Sequence, residues 1–201
     1  MRTFSRLKCR LMPYIYRMAA IAHEKGTPVC RPMPFAYPDD RACQYLDLQY
    51  MFGESILVAP IFNDQNIGEC YLPDGKWISL LDSEVLEGGK WHRQKYSYLD
   101  FPVFVRENSL LAIGSHDDRP DYDYTDGVTF RYYLPKDGVI AFCEVPDESG
   151  KTVLSAKAIL ENGEVRLELD REMEGAAFEA VLPDGSRKHA KIEGKTAFIR
   201  L

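Results

Sequence analysis

From residue 56 to the C-terminus the chain is written as short β-type runs separated by turn signals. This constrains the fold more than any other feature. The first runs are 56–62, 69–72, 77–81, 101–106 and 110–113. A second series follows at 128–134, 139–145, 152–160, 165–170, 177–182, 187–192 and 196–201. Pro73-Asp-Gly, Lys136-Asp-Gly, Glu161-Asn-Gly-Glu, Pro183-Asp-Gly and Glu193-Gly lie between them. Asn-Gly and Asp-Gly supply the positive φ values that tight hairpins require. Many short strands at this spacing read as β-sandwich. Residues 165–170 (VRLELD) alternate cleanly, the mark of a strand with one wet face.

The part before residue 53 reads differently. Phe4, Leu7, Leu11, Ile15, Met18 and Ala22 recur at steps of three and four, so residues 3–25 are expected to form one amphipathic helix. Gly26 is a natural stop signal for it. Pro13 removes a backbone donor and should kink or restart the helix. No other helix in the chain is an obvious partner for the apolar stripe, so the stripe is expected to stand exposed and to fray or self-associate. Residues 28–36 read as a short buried strand. Asp39 and Asp40 then precede a brief helical segment at 41–48, where an aspartate accepts orphan amide bonds. The polar run 115–126 (SHDDRPDYDYTD) reads as a connection between two β-domains.

The totals exclude several classes. With 25 basic and 31 acidic residues the net charge is −6, and no long basic run occurs, which argues against nucleic acid as a partner. No stretch of about 18 apolar residues is present, so no membrane span is expected. The basic N-terminus (Arg2, Arg6, Lys8, Arg10) precedes an apolar run that Pro13 and Arg17 cut short, too short for a secretory leader. The five cysteines (Cys9, Cys30, Cys43, Cys70, Cys143) are odd in number, widely spaced and without a C-x-x-C. They support neither a zinc site nor a disulfide framework, and reduced thiols in a cytoplasmic protein are the simpler account.

Candidate chemistry is thin. Acid/base or nucleophilic chemistry on paired carboxylates needs the two held close together in space. The adjacent pairs Asp39/Asp40, Asp117/Asp118 and Asp121/Asp123 do not supply that geometry by adjacency. The first reads as a helix cap, and the 117–126 cluster as a solvated linker without EF-hand spacing. His23, His92, His116 and His189 are scattered, with no H-E-x-x-H, G-x-S-x-G or Gly-rich phosphate loop. Arg31 sits in an apolar strand and calls for a carboxylate, either as a structural ion pair or as a ligand contact. Trp77 and Trp91 have indole faces of the kind that stack on sugars, but such residues also anchor sandwich cores.

Several segments in their order and spacing resemble glycoside hydrolase family 31, most closely its α-xylosidase branch. Arg10-Leu-Met-Pro-Tyr-Ile-Tyr is similar to the family's late barrel helix, and Arg31-Pro-Met-Pro-Phe-Ala-Tyr-Pro to its final barrel strand. Gln49-Tyr-Met-Phe-Gly through Ala59-Pro60 is similar to the crossing into the proximal sandwich. Arg119-Pro-Asp-Tyr and Val145-Pro146 resemble the distal domain. Tyr71 to Trp77 (YLPDGKW) and Val103 to Gly114 belong to the same pattern.

The resemblance implies a mainly β chain: two consecutive β-sandwich domains preceded by a helix and strand from the end of a (β/α)8 barrel. Residues 1–52 would be the barrel remnant, 53–115 the proximal sandwich and 116–201 the distal one. The parent activity would be retaining hydrolysis of α-xylosidic or α-glucosidic linkages in oligosaccharides. The family's nucleophile and acid/base motifs are not in this sequence. No catalytic, cofactor-binding or metal-ligating residue is therefore assigned, and the chain alone is expected to be inactive. The expected role is a scaffold; the alternative is a non-catalytic carbohydrate-binding module. Expected partners are oligosaccharide reached through the barrel, a second copy, or a barrel-bearing chain.

Overall fold

The computed structural model describes residues 2–201 and is mainly β. Helices α1 (Arg2–Arg10) and α2 (Met12–Lys25) open the chain. Strand β1 (Cys30–Pro32), helix α3 (Met33–Ala36) and a 3₁₀ turn (Arg41–Tyr45) follow. Then come β2 (Tyr50–Phe52), β3 (Ile56–Val58), β4 (Ile67–Leu72), β5 (Lys76–Ser79), β6 (Val85–Glu87), β7 (Lys90–Lys95) and β8 (Val103–Arg106). The last eight strands are β9 (Ser109–Ile113), β10 (Thr129–Tyr133), β11 (Ala141–Pro146), β12 (Thr152–Glu161), β13 (Glu164–Leu169), β14 (Ala177–Val181), β15 (Arg187–Lys191) and β16 (Thr196–Arg200).

The chain gathers into two compact units. One holds Pro28–Glu107 with Pro183–Gly185, and is called here the N-terminal sandwich. The other holds Met1–Thr27 with Asn108–Leu182 and Ser186–Leu201, and is called the C-terminal sandwich. Within residues 1–52, helices α1 and α2 cluster with the C-terminal sandwich, and β1, α3, the 3₁₀ turn and β2 with the N-terminal one. The connection between these units falls at 107/108, because β9 pairs with β10.

In the N-terminal sandwich a six-stranded sheet runs β1-β2-β3-β8-β5-β6, and β4 pairs separately with β7. Met33, Cys43, Met51, Leu57, Leu72, Trp77 and Phe104 form its core. Trp77 is wholly buried and its Nε1–H donates to the Pro73 carbonyl at 2.7 Å. It is a core anchor, as buried indoles usually are once their N–H is satisfied. Residues 28–36 are only a three-residue strand before the chain turns into α3, so the expected strand is shorter than drawn. Pro34, just inside α3, suits a first helical turn, where its missing N–H costs nothing.

In the C-terminal sandwich two four-stranded sheets, β15-β14-β10-β9 and β11-β12-β13-β16, face one another across a core that includes Phe130, Tyr132, Phe178, Leu154 and Leu167. The β10–β14 pair is parallel; the other ladders of these two sheets are antiparallel. Asn162 and Gly163 both take positive φ in the β12–β13 turn, as the Asn-Gly signal demands.

The helix breaks at Leu11, one residue before α2, which carries Pro13 in its first turn, and it ends at Gly26 with φ 70°. Its apolar face is not bare. Leu11, Tyr14, Met18 and Ile21 are buried, and α2 lies against β9 and β11. The sheet edges take the place of the helical partner that the sequence lacked. Arg17 reinforces this contact, with Nη2 2.6 Å from Glu144 Oε2 and its side chain only 11% exposed. The C-terminus of α1 is also tied down: Gly114 N–H donates to the Arg10 carbonyl at 2.7 Å and Tyr122 Oη to the Cys9 carbonyl at 2.8 Å. Tyr122 and Tyr124 are buried, so the run 115–126 is anchored to the core and is more than a solvated linker. No helix among the described residues is long and apolar enough to cross a membrane.

Candidate functional site

The densest polar arrangement in the N-terminal sandwich surrounds Asp40. Its Oδ1 accepts the Ala42 amide at 3.0 Å and caps the 3₁₀ turn, while Oδ2 accepts the Tyr71 hydroxyl at 3.0 Å. Burial pushes the Tyr71 phenol up to about 12, and the hydrogen bond to Asp40 adds to the effect. Burial likewise lifts the Cys43 thiol to about 12, with the neighbouring Asp40 carboxylate contributing. Gln49 clamps the same strand: its Nε2 donates to the Tyr71 carbonyl and its Oε1 accepts the Tyr71 amide, both at 2.8 Å and both buried. Trp91 stands outside this cluster, 55% exposed, with its ring centroid 5.9 Å from that of Tyr71. The arrangement holds a loop in place. It offers a carboxylate whose two oxygens are already engaged, which is poor equipment for nucleophilic attack or proton donation.

The other residues singled out in the sequence lie apart from one another. Arg31 donates from Nε to the Pro28 carbonyl at 3.1 Å and pairs with Glu54 at 3.4 Å, a local ion pair. Asp117 pairs with Arg6 at 3.5 Å and Asp118 lies 3.8 Å from His116. Asp123 closes a turn by accepting the Thr125 amide and hydroxyl. His23 is exposed at the end of α2, His92 contacts the Glu87 carbonyl at 2.8 Å, and His189 lies 3.4 Å from Glu179. Among the described residues no group of three potential metal ligands comes together.

Two open clefts flank the turn at 147–151 in the C-terminal sandwich. One, about 510 Å³, is lined by Tyr124, Asp123, Asp147, Glu148 and Arg171. The other, about 640 Å³, is lined by Tyr16, His23, Glu24 and Lys151. Asp147 between them accepts the Ser149 hydroxyl and the Ser149 and Lys151 amides, and these bonds, led by the hydroxyl, hold its carboxyl below the usual range. Sequence reasoning passed over Gln49 and Asp147, because a single polar residue beside a turn gives no periodic signal.

Residues 26–111 match the family model described as the glycosyl hydrolase family 31 C-terminal domain. Residues 123–200 match the one described as the alpha-xylosidase YicI C-terminal domain. The chain is 41% identical over 162 residues to the alpha-xylosidase XylQ of Lactiplantibacillus pentosus, covering 79% of this chain and 21% of that protein. It is 32% identical over 151 residues to an alpha-xylosidase of Saccharolobus solfataricus, covering 74% and 20% respectively. It therefore spans about a fifth of the length of these curated relatives.

Among solved structures, a cycloalternan-forming enzyme from Listeria monocytogenes superposes with a TM-score of 0.81 at 21% identity, over 99% of this chain and 23% of that one. A GH31 alpha-xylosidase from Xanthomonas citri gives 0.72 at 21% identity, over 98% and 24%. These two likenesses speak for the fold. The two adjacent family models leave little of the sequence unaccounted for, and the chain belongs to glycoside hydrolase family 31, of which it carries the C-terminal domains in their α-xylosidase-like form.

Proposed function

We propose that this chain is the supporting, non-catalytic part of a retaining α-glycosidase acting on α-xylosidic or α-glucosidic linkages in oligosaccharides. One observation carries the reading: both matching family models are C-terminal domains, and together they take in residues 26–111 and 123–200. The chemistry of the residues fits. Asp40, the aspartate best placed by the fold, has both oxygens in structural bonds. In the parent enzyme, residues 1–52 would complete the barrel, 53–115 form the proximal sandwich and 116–201 the distal one. A retaining pocket is walled by the strands of a closed barrel, and one helix pair and one strand do not close one. The free cysteines favour a reducing compartment, the cytoplasm.

The test is hydrolysis of an aryl α-xyloside and an aryl α-glucoside by the purified chain. No turnover above the buffer rate is expected. Turnover that disappears when the chain's own aspartates are replaced would overturn the proposal.

One observation favours a second reading, carbohydrate binding without chemistry: the exposed indole of Trp91. Titration with xylo-oligosaccharides, followed by tryptophan fluorescence, separates the two. Saturable quenching that Trp91→Phe abolishes would support binding, whereas the scaffold reading expects no change. Trp77 is buried and serves as the internal reference.

A further inference from the structure

The outer face of the sheet β11-β12-β13-β16 carries more apolar surface than a solvated face needs. Strand register sets out two adjacent rows across it. The first is Phe142, Lys157, Glu168 and Thr196; the second is Ile159, Arg166 and Phe198. Ile140, just before β11 and two residues from Phe142, continues the second row. Phe142 is 68% exposed, Phe198 52% and Ile140 53%. Single exposed apolar residues are ordinary, but here Ile140 and Phe142 line one edge of the face and Phe198 the other, with Ile159 between them, a spread over one sheet face of the kind that marks an interaction surface.

The charges on this face identify the partner. Lys157 and Glu168 bridge at 3.1 Å in the middle of the first row, and both are substantially exposed. A two-fold axis lying along the strands between β12 and β13 exchanges β11 with β16 and β12 with β13. Under that operation Lys157 of one copy meets Glu168 of the other, and the reverse pair forms as well. Phe142 comes opposite Thr196, Ile140 opposite Phe198, and Ile159 opposite Arg166, whose aliphatic stem supplies the contact while its charged head turns out to solvent, so apolar groups border the Lys157–Glu168 pairs. A face of single charge sign would call for a different protein, whereas this one is complementary to itself, as isologous contacts require. The third row, Glu161, Glu164 and Arg200, brings like charges together under the same operation and confines the contact to the first two rows.

We propose that this face is a self-association surface, on which a second copy of the chain docks sheet to sheet about that axis. The inference stands apart from the functional reading above, since it concerns only residues 140–198 of the C-terminal sandwich.

Analytical ultracentrifugation of the full chain over a concentration series tests it. The expected result is a concentration-dependent dimer. Lys157→Glu and Glu168→Lys should each weaken the dimer by roughly tenfold or more, because each places like charges face to face. An equimolar mixture of the two variants should restore association, since every cross-copy pair is then of opposite sign. Phe198→Asp should leave a monomer, with circular dichroism confirming that the exposed substitution leaves the fold intact. A wild-type monomer across the micromolar-to-millimolar range would overturn the proposal. So would a dimer indifferent to Phe198→Asp, or charge variants that fail to recover on mixing.

Discussion

Asp40 shows how a residue that looks like chemistry can be committed to architecture. Each oxygen holds one donor, the Ala42 amide and the Tyr71 hydroxyl. Asp40→Ala removes a cap worth about 1 kcal/mol and leaves the phenol of the buried Tyr71 unmatched. A loss of about 1–3 kcal/mol in urea denaturation is expected, with Asp40→Asn costing less because an amide oxygen still caps. Gln49→Leu should cost about 2–4 kcal/mol in the same assay, since it orphans both backbone groups of Tyr71. Reactivity distinguishes the cysteines. Cys30 is exposed, whereas Cys9, Cys43 and Cys70 are buried, and burial lifts the Cys43 and Cys70 thiols to about 12. A disulfide reagent at neutral pH should modify one thiol quickly, and Cys30→Ser should remove that phase. The sequence proposed the cap at Asp39/Asp40 from position alone. It did not reveal the bond from Tyr71, which comes from a strand 31 residues away.

At the scale of elements, legibility followed periodicity. The strands that alternate, such as β12 and β13, lie close to where the pattern put them. Strand β7, Lys-Trp-His-Arg-Gln-Lys, was not foreseen, because it is exposed almost throughout and carries no apolar rhythm. What fixes it is its ladder to β4, a contact between residues far apart in the chain. The helix gives the reverse lesson. Its amphipathic face was visible in the sequence, and so was the break caused by Pro13. Its cover was not, because the partner is a pair of sheet edges rather than another helix. Within α1 only Cys9 is buried, while α2 buries Pro13, Tyr14, Met18 and Ile21. Amide exchange should therefore be slow along residues 15–25 and fast along 3–9. Equal, rapid exchange over both would contradict the packing described here. Met18→Ala should cost about 2–5 kcal/mol by leaving a cavity against the sheet.

For the whole molecule, tyrosine gives a broad measure of integrity. Tyr37, Tyr50, Tyr71, Tyr96, Tyr122, Tyr124 and Tyr132 are shifted upward, in each case chiefly by burial. Unfolded, such phenols lose their protons near about 10. Folded, Tyr71, Tyr122 and Tyr132 hold theirs to about 12. Across that window the unfolded chain binds fewer protons than the native one, so stability is whole below the lower value and drains away as pH rises. Absorbance at alkaline pH should show a gradual rise from the exposed rings, then a cooperative step that coincides with loss of circular dichroism.

The discontinuous make-up of the C-terminal sandwich has a further consequence, one for biosynthesis. Helix α2 is complete at Lys25, yet the strands that shelter it, β9 and β11, end only at Ile113 and Pro146. A ribosome adding about 5–20 residues per second takes on the order of ten seconds to travel from Lys25 to Pro146. Throughout that interval a nascent amphipathic segment waits without its shelter, while the intervening domain can already condense. A chaperone that captures such segments should meet this polypeptide at α2, and should let go once the hairpin of β11 and β12 has cleared the exit tunnel.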